Sequence, residues 1–231
     1  MRPSGIHLLA PNVVLYVLEG EAPGPTLLFQ AGIHGDEIAG VHALSELLEE
    51  GWRPRRGRRL VCPIMNPGAY RARKRTAPKR GPWAGLDLNR VFPGDPEAPE
   101  HEKRLAHAFM ELVLEERPAL VCTLHESQKR YDPERQPSFG QSLVYGVLPM
   151  PKVIGEAIER LNSRIQNEEE RWSPHYYPVP TSSTEVIVER TRCVGVCVET
   201  WMGFPEERRI DMHKEVVRIF EELFEAEAPT N

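Results

Sequence analysis

The sequence predicts an α/β protein, a three-layer α/β/α sandwich around a mixed, largely parallel sheet with antiparallel edges. Two observations carry this. Apolar runs of strand length alternate with stretches of helical periodicity along the chain, as in folds whose parallel strands are covered on both faces. Three of the runs also end in ionisable residues: His34 with Glu37, His125, and Glu199. Open α/β sheets place their sites at the carboxyl ends of strands.

The elements follow in order. Residues 6–18 are apolar but broken by His7, Pro11 and Asn12, with no small-residue cleavage site after them, so they read as first strand and hairpin, not as a secretion signal. A Gly/Pro-rich turn over residues 20–25 leads to the strand 26–30, and residues 38–50 carry apolar positions at helical spacing up to Gly51. Residues 60–64 read as a strand closed by Asn66-Pro67-Gly68, and residues 71–80 as a basic surface loop. Residues 96–117 form a long amphipathic helix ending before Pro118, and residues 119–124 a buried strand. Beyond a polar loop come a strand at 143–148 and a helix at 151–170. A Pro-rich loop follows at 173–180, with Tyr176 and Tyr177. Ser183 caps a short helix, residues 194–198 form a core strand, and residues 206–225 form the closing helix.

A chain of 231 residues without an internal repeat or a long linker suits one domain and buries roughly 70% of its unfolded surface. The net charge of −5 argues against a protein governed by a nucleic-acid or membrane field, and no run reaches the roughly 18 apolar residues of a membrane span. Five arginines lie in residues 53–59. Few aromatics interleave with them, so they read as a solvated turn in preference to a nucleic-acid surface. Cys62, Cys122, Cys193 and Cys197 fall in apolar runs without metal spacing and read as core thiols of a reduced, cytoplasmic protein. Cys193 and Cys197 alone are close enough in sequence to merit a disulfide check.

His34 and Glu37 stand three apart across a loop-to-helix junction, where an imidazole and a carboxylate can converge on one point. Two such ligands suit a divalent ion of borderline softness. With His125 they make two histidines and one carboxylate, leaving Glu199 as a base for water.

The motifs His-Gly-Asp-Glu (34–37), Asp-Leu-Asn-Arg (87–90), Leu-His-Glu (124–126) and Val-Glu-Thr (198–200), in this order, resemble the zinc carboxypeptidase superfamily. Gly-Leu-Asp-Leu-Asn-Arg-Val-Phe-Pro-Gly (85–94) is most similar to its succinylglutamate desuccinylase/aspartoacylase branch. The resemblance implies one zinc ion per chain held by His34, Glu37 and His125, with Asp87 orienting the ring of His34. Glu199 would take a proton from water and return it to the leaving nitrogen. Asn89 and Arg90 would grip a substrate carboxylate, and Arg75, with Arg80 as the alternative, would polarise the scissile carbonyl. Tyr177 or Tyr176 is a candidate to close over substrate.

The substrate expected is a small molecule or short peptide with a carboxylate. Either an N-acyl amino acid deacylase or a metallocarboxypeptidase or cell-wall-peptide amidase fits. Aspartoacylase-type enzymes generally carry a further β-rich C-terminal domain. We expect residues 1–231 to form the catalytic domain alone, which leaves its site more open or closed by a partner subunit and keeps a homo-oligomer among the expectations.

Overall fold

The computed structural model describes residues 1–78 and 85–226. Eight strands form one sheet, in chain order β1 (Gly5–Ala10), β2 (Val13–Glu19), β3 (Ala22–Ala31), β4 (Arg56–Cys62), β5 (Leu120–Ser127), β6 (Ser142–Tyr145), β7 (Ser173–Tyr176) and β8 (Val194–Trp201). Their spatial order is β1-β2-β4-β3-β5-β8-β6-β7. The centre, β4-β3-β5-β8, is parallel throughout. At one side β1 and β2 are joined antiparallel, and at the other β6 runs antiparallel to β8.

The two faces of the sheet follow from the period of two along each strand. In β3, Leu27, Phe29 and Ala31 point to one face, where they meet the helices α1 (Ala39–Glu49), α4 (Lys152–Ser163) and α6 (Glu206–Ala226). Leu28 points to the other face, toward α3 (His101–Glu116) and α5 (Ser183–Thr191). These are the two outer layers expected from the sequence. Buried side chains such as Phe29, Leu44 and Phe109 each contribute about 1.5–3 kcal/mol relative to exposure.

Several boundaries differ from the sequence reading. A short helix α2, Pro67–Ala72, opens what reads as a loop, because Asn66 accepts a hydrogen bond from the Ala69 amide and Pro67 occupies the first helical position. Ser182, not Ser183, caps α5 by accepting from the Glu185 amide. The stretch 173–180 contributes strand β7 before it becomes loop.

The arginines of residues 53–59 need a larger correction. Arg58 and Arg59 lie within β4 and are buried. Arg59 donates to Glu221 at 2.6 Å and Glu225 at 2.9 Å on α6, while Arg58 pairs with Glu116 at the end of α3. Together they brace the sheet against both helix layers. The four cysteines are free, and Cys62 and Cys122 are buried. Cys197 is not a core residue; it lines the main cavity. Among the described residues, no helix is long and apolar enough to cross a membrane.

Candidate active site and metal centre

Past the end of β3 the chain turns through His34-Gly35-Asp36-Glu37 into α1. A side chain at Gly35 would put its Cβ 1.9 Å from the Ala69 carbonyl carbon, so the glycine lets this loop lie directly on α2. The contact is fixed by the Gly35 amide donating to the Lys74 carbonyl at 3.0 Å. The segment that leads to Arg75 is thereby held beside His34.

His125 lies in β5, and its register partner across the parallel ladder is Glu199 of β8. Both line the same cavity as His34 and Glu37, a space of about 410 Å³ at the carboxyl ends of the central strands. Asp87, Asn89 and Arg90 arrive on a single 3₁₀ turn, Leu88–Arg90, capped by the Asp87 carboxylate.

Glu37 is the hub. One carboxylate oxygen faces Nδ1 of His34 at 2.7 Å and the other faces Nδ1 of His125 at 2.7 Å. Nε2 of His34 faces Asp87 at 3.0 Å. Nε2 of His125 is buried without a hydrogen-bond partner among the described residues. Burial by itself would lower His34, but the Glu37 charge and the bonds to Asp87 and Glu37 raise it to about 9. Against their own burial, Glu37 is held well below the carboxylate range by the two histidines, and Asp87 by His34 and Arg75. Burial lowers His125.

This donor set fits a divalent cation. Two imidazoles and a carboxylate offer ligand atoms within 4.8 Å of one another, all buried, and the Asp87 contact leaves Nδ1 of His34 facing the cluster. A second group, His125, Cys197 and Glu199, meets the same distance test. It shares His125 with the first, and burial together with the Glu199 charge pushes the Cys197 thiol well up, so that it stays protonated.

Glu199 lies beside this cluster. Burial, and then the charge of Glu37, push it up to about 8. Arg75 fixes one edge on Asp87, with Nε at 3.0 Å and Nη2 at 2.8 Å, which leaves Nη1 3.6 Å from Glu37. Arg80 lies outside the described residues. Asn89 uses its side-chain carbonyl to accept from the amide and hydroxyl of Ser183, at 2.9 and 3.2 Å, and lines the cavity. Arg90 is exposed and bonds the Asn89 carbonyl. Tyr177 lines the cavity, packed against Phe139 and His175, whereas Tyr176 is 43% exposed and outside the lining.

Some residues of the site carry no role in the sequence reading. Glu126 is buried, accepts from the Ala39 amide at the start of α1 at 2.8 Å, and pairs with Arg209 of α6. It therefore ties the helix that follows Glu37 to the strand that carries His125. Its place in Leu-His-Glu was a signal; nothing in the sequence marked Arg209. Cys197 could have been found by strand parity, since it shares a face with Glu199 two residues on.

Comparison with known proteins agrees with this architecture. Residues 23–135 match the family described as the succinylglutamate desuccinylase/aspartoacylase catalytic domain. Over 120 residues, 52% of this chain, the sequence is 38% identical to N-alpha-acetyl-L-2,4-diaminobutyric acid deacetylase of Halomonas elongata, of which the match takes in 33%. In fold, the chain is similar to the product-bound cell shape determinant protein Csd4 of Helicobacter pylori, with a TM-score of 0.81 and 16% identity. That match covers 93% of this chain and 55% of the other. It is also similar to the product-bound ectoine utilization protein EutE (DoeB) of Ruegeria pomeroyi, with a TM-score of 0.67, 24% identity, and 92% and 60% of the two chains covered. The chain thus spans a third to three fifths of the length of these relatives. Residues 23–135 are thus similar to the catalytic domain of the succinylglutamate desuccinylase/aspartoacylase family, and the fold is shared with Csd4.

Proposed function

We propose that this protein is a zinc-dependent hydrolase that cleaves an amide C–N bond, removing the acyl group of an N-acyl amino acid or related small amide. The observation that carries the reading is the convergence of His34, Glu37 and His125 on one point beside Glu199, whose carboxyl is raised. His34, Glu37 and His125 would hold the ion, one per chain. A zinc ion at such a site supplies Lewis acidity and makes water a nucleophile near neutral pH.

The chain's own residues do the rest. Glu199 accepts the proton of the water that attacks the carbonyl carbon. It then delivers that proton to the nitrogen as the C–N bond breaks, leaving a carboxylate and an amine. A carboxylate lifted toward neutral pH suits both halves of this transfer. Arg75, with Nη1 turned to the cluster, faces the charge that develops on the carbonyl oxygen. Arg90 and the amide of Asn89 bind a substrate carboxylate, for which the guanidinium fork is matched in shape.

The relatives support both readings of substrate. The Halomonas protein is named a deacetylase of an acylated diamino acid, whereas Csd4 is described as a D,L-carboxypeptidase. A carboxypeptidase or cell-wall-peptide amidase would use the same metal, base and arginines on a short peptide with a free carboxylate. The sequence adds a cytoplasmic setting to the proposal.

The test is hydrolysis by the zinc-loaded protein of N-acetyl and N-succinyl amino acids against peptides with free C-termini, with E199Q as the blank. Turnover of the acyl amino acids that chelation abolishes and zinc restores is the expected result. Turnover of peptides alone would establish the carboxypeptidase instead. Activity that survives chelation with no zinc bound would overturn the metal assignment.

A further inference from the structure

Glu126 and Arg209 have no part in the proposed reaction, yet they connect its two halves. Helix α1 begins two residues after Glu37, and its N-cap residue, Ile38, supplies no side-chain hydrogen bond. The cap comes from another strand. Along β5 the alternation of side chains sends Glu126 to the face opposite His125, the one that α1 and α6 cover. There Oε2 of Glu126 accepts from the Ala39 amide at 2.8 Å, and a carboxylate suits the positive end of a helix. The amide of the same residue donates to Glu37 Oε2 at 3.3 Å. Glu126 thus holds both the carboxylate of Glu37 and the start of the helix that follows it.

The Glu126 side chain is fully buried, and a charge in that position needs a partner. Arg209 of α6 supplies it: Nη1 pairs with Oε1 of Glu126, while Nε donates to the Phe204 carbonyl at 3.0 Å. Phe204 lies in the turn that leaves β8, the strand of Glu199. That turn is fastened to β5 as well, by the Met202 amide donating to the Ser127 carbonyl at 2.9 Å. Arg209 therefore keeps one donor on the side of the metal ligands and another on the side of the base. Its side chain is 13% exposed and is not part of the cavity lining, so it acts only through other residues.

We propose that Glu126, with Arg209 as its counter-charge, is a positioning residue that holds Glu37 in place against His125 and so sets how tightly the site binds zinc. This rests on the reading of His34, Glu37 and His125 as metal ligands and adds the residues that keep two of them in register. Glu37 stands at a loop-to-helix junction, where its carboxylate would swing with any movement of α1. With the first amide of α1 tied to the strand of His125, the two ligands keep their spacing before the ion arrives. Removing a group that orients a metal ligand costs about 10- to 100-fold in metal affinity.

The experiment compares two double variants with wild type. E126L/R209M removes both charges together, which buried pairs tolerate far better than the loss of one partner. E126Q/R209M also removes both charges but retains an oxygen that can accept from Ala39. Zinc affinity is measured by competition with a chromophoric chelator, and the melting temperature is recorded on the metal-free protein. We expect E126L/R209M to keep that melting temperature and to bind zinc about 10- to 100-fold more weakly, and E126Q/R209M to recover most of the loss. Unchanged zinc affinity in E126L/R209M overturns the positioning role, and so does equal weakening in both variants. If E126L/R209M does not fold, R209K carries the test, since a lysine cannot reach Glu126 and Phe204 together: weakened zinc binding supports the role and unchanged binding overturns it. A wild-type protein that binds no zinc would remove the metal reading and the proposal with it, whereas unchanged affinity in the variants removes the proposal alone.

Discussion

Arg58 and Arg59 on β4 and Arg75 at the cavity come from equally basic stretches, and Arg90 from a turn with no other basic residue, yet the two pairs do opposite work. Arg59 is fully buried and spends its guanidinium on two carboxylates of α6, and Arg58 is paired with Glu116. Arg75 is 48% exposed and commits one edge to Asp87, while Arg90 is exposed and has no carboxylate partner among the described residues. Where the guanidinium is buried between carboxylates the residue holds layers together; where part of it stays exposed it lines the cavity. The exposure of the guanidinium, not the local density of arginine, separates the frame from the site.

The comparison can be broken from either side, and the largest effect belongs to Glu199, the proposed base. E199Q should lose about 10² to 10⁴ in kcat at an unchanged melting temperature, and wild-type turnover in that variant would refute its role. Replacing Arg59 with leucine strands Glu221 and Glu225 at a largely buried position and should cost about 3–5 kcal/mol, read as a lower denaturation midpoint. Stability within 1 kcal/mol of wild type would place Arg59 with the surface pairs, which are worth about 0–1 kcal/mol.

Arg90→Lys should do the reverse. Stability stays, while KM for a carboxylate-bearing substrate rises about 10-fold or more, because an ammonium cannot reproduce the bidentate contact. A lowered melting temperature with unaltered KM would move Arg90 into the frame.

The last effect concerns His213, a fully buried histidine on α6 that faces Thr200 at 3.1 Å. Burial, followed by the charges of His125 and Arg209, lowers it to about 3. The unfolded chain therefore binds a proton below about pH 6.5 that the folded chain refuses until about pH 3. Stability is complete above pH 6.5 and falls with acidification between these values, by about 1.4 kcal/mol per pH unit for one proton. H213Q should show a shallower loss of melting temperature between pH 7 and 5, and parallel curves would remove His213 from the acid response.

Most of the sheet centre and the cluster around Glu37 were legible in the sequence, because both follow from local rules. Strand-length apolar runs give the layers, and ionisable residues at strand ends meet wherever those strands are parallel neighbours. The burial of Arg58 and Arg59 was not legible. Their partners lie 58, 162 and 166 residues away, and no window of sequence shows that two basic residues inside a strand have carboxylates waiting. Another part of the cavity lining was hidden for the same reason: Gly146, Val179 and Glu185 come from three separate segments, and the contact among them depends on how the β6 and β7 connections fold back. Arg80, the alternative to Arg75, lies outside the described residues.

His125 and Glu199 occupy the same rung of neighbouring parallel strands. The sheet is then a ruler: the gap between the proposed ligand and the proposed base is one interstrand spacing, about 4.8 Å, set by backbone hydrogen bonds and indifferent to the loops above. Exchanging the walls at 139, 145–146 and 177–185 would redraw what the cavity accepts while leaving that gap as it is. For engineering, the molecule divides into a fixed gauge and a replaceable mould.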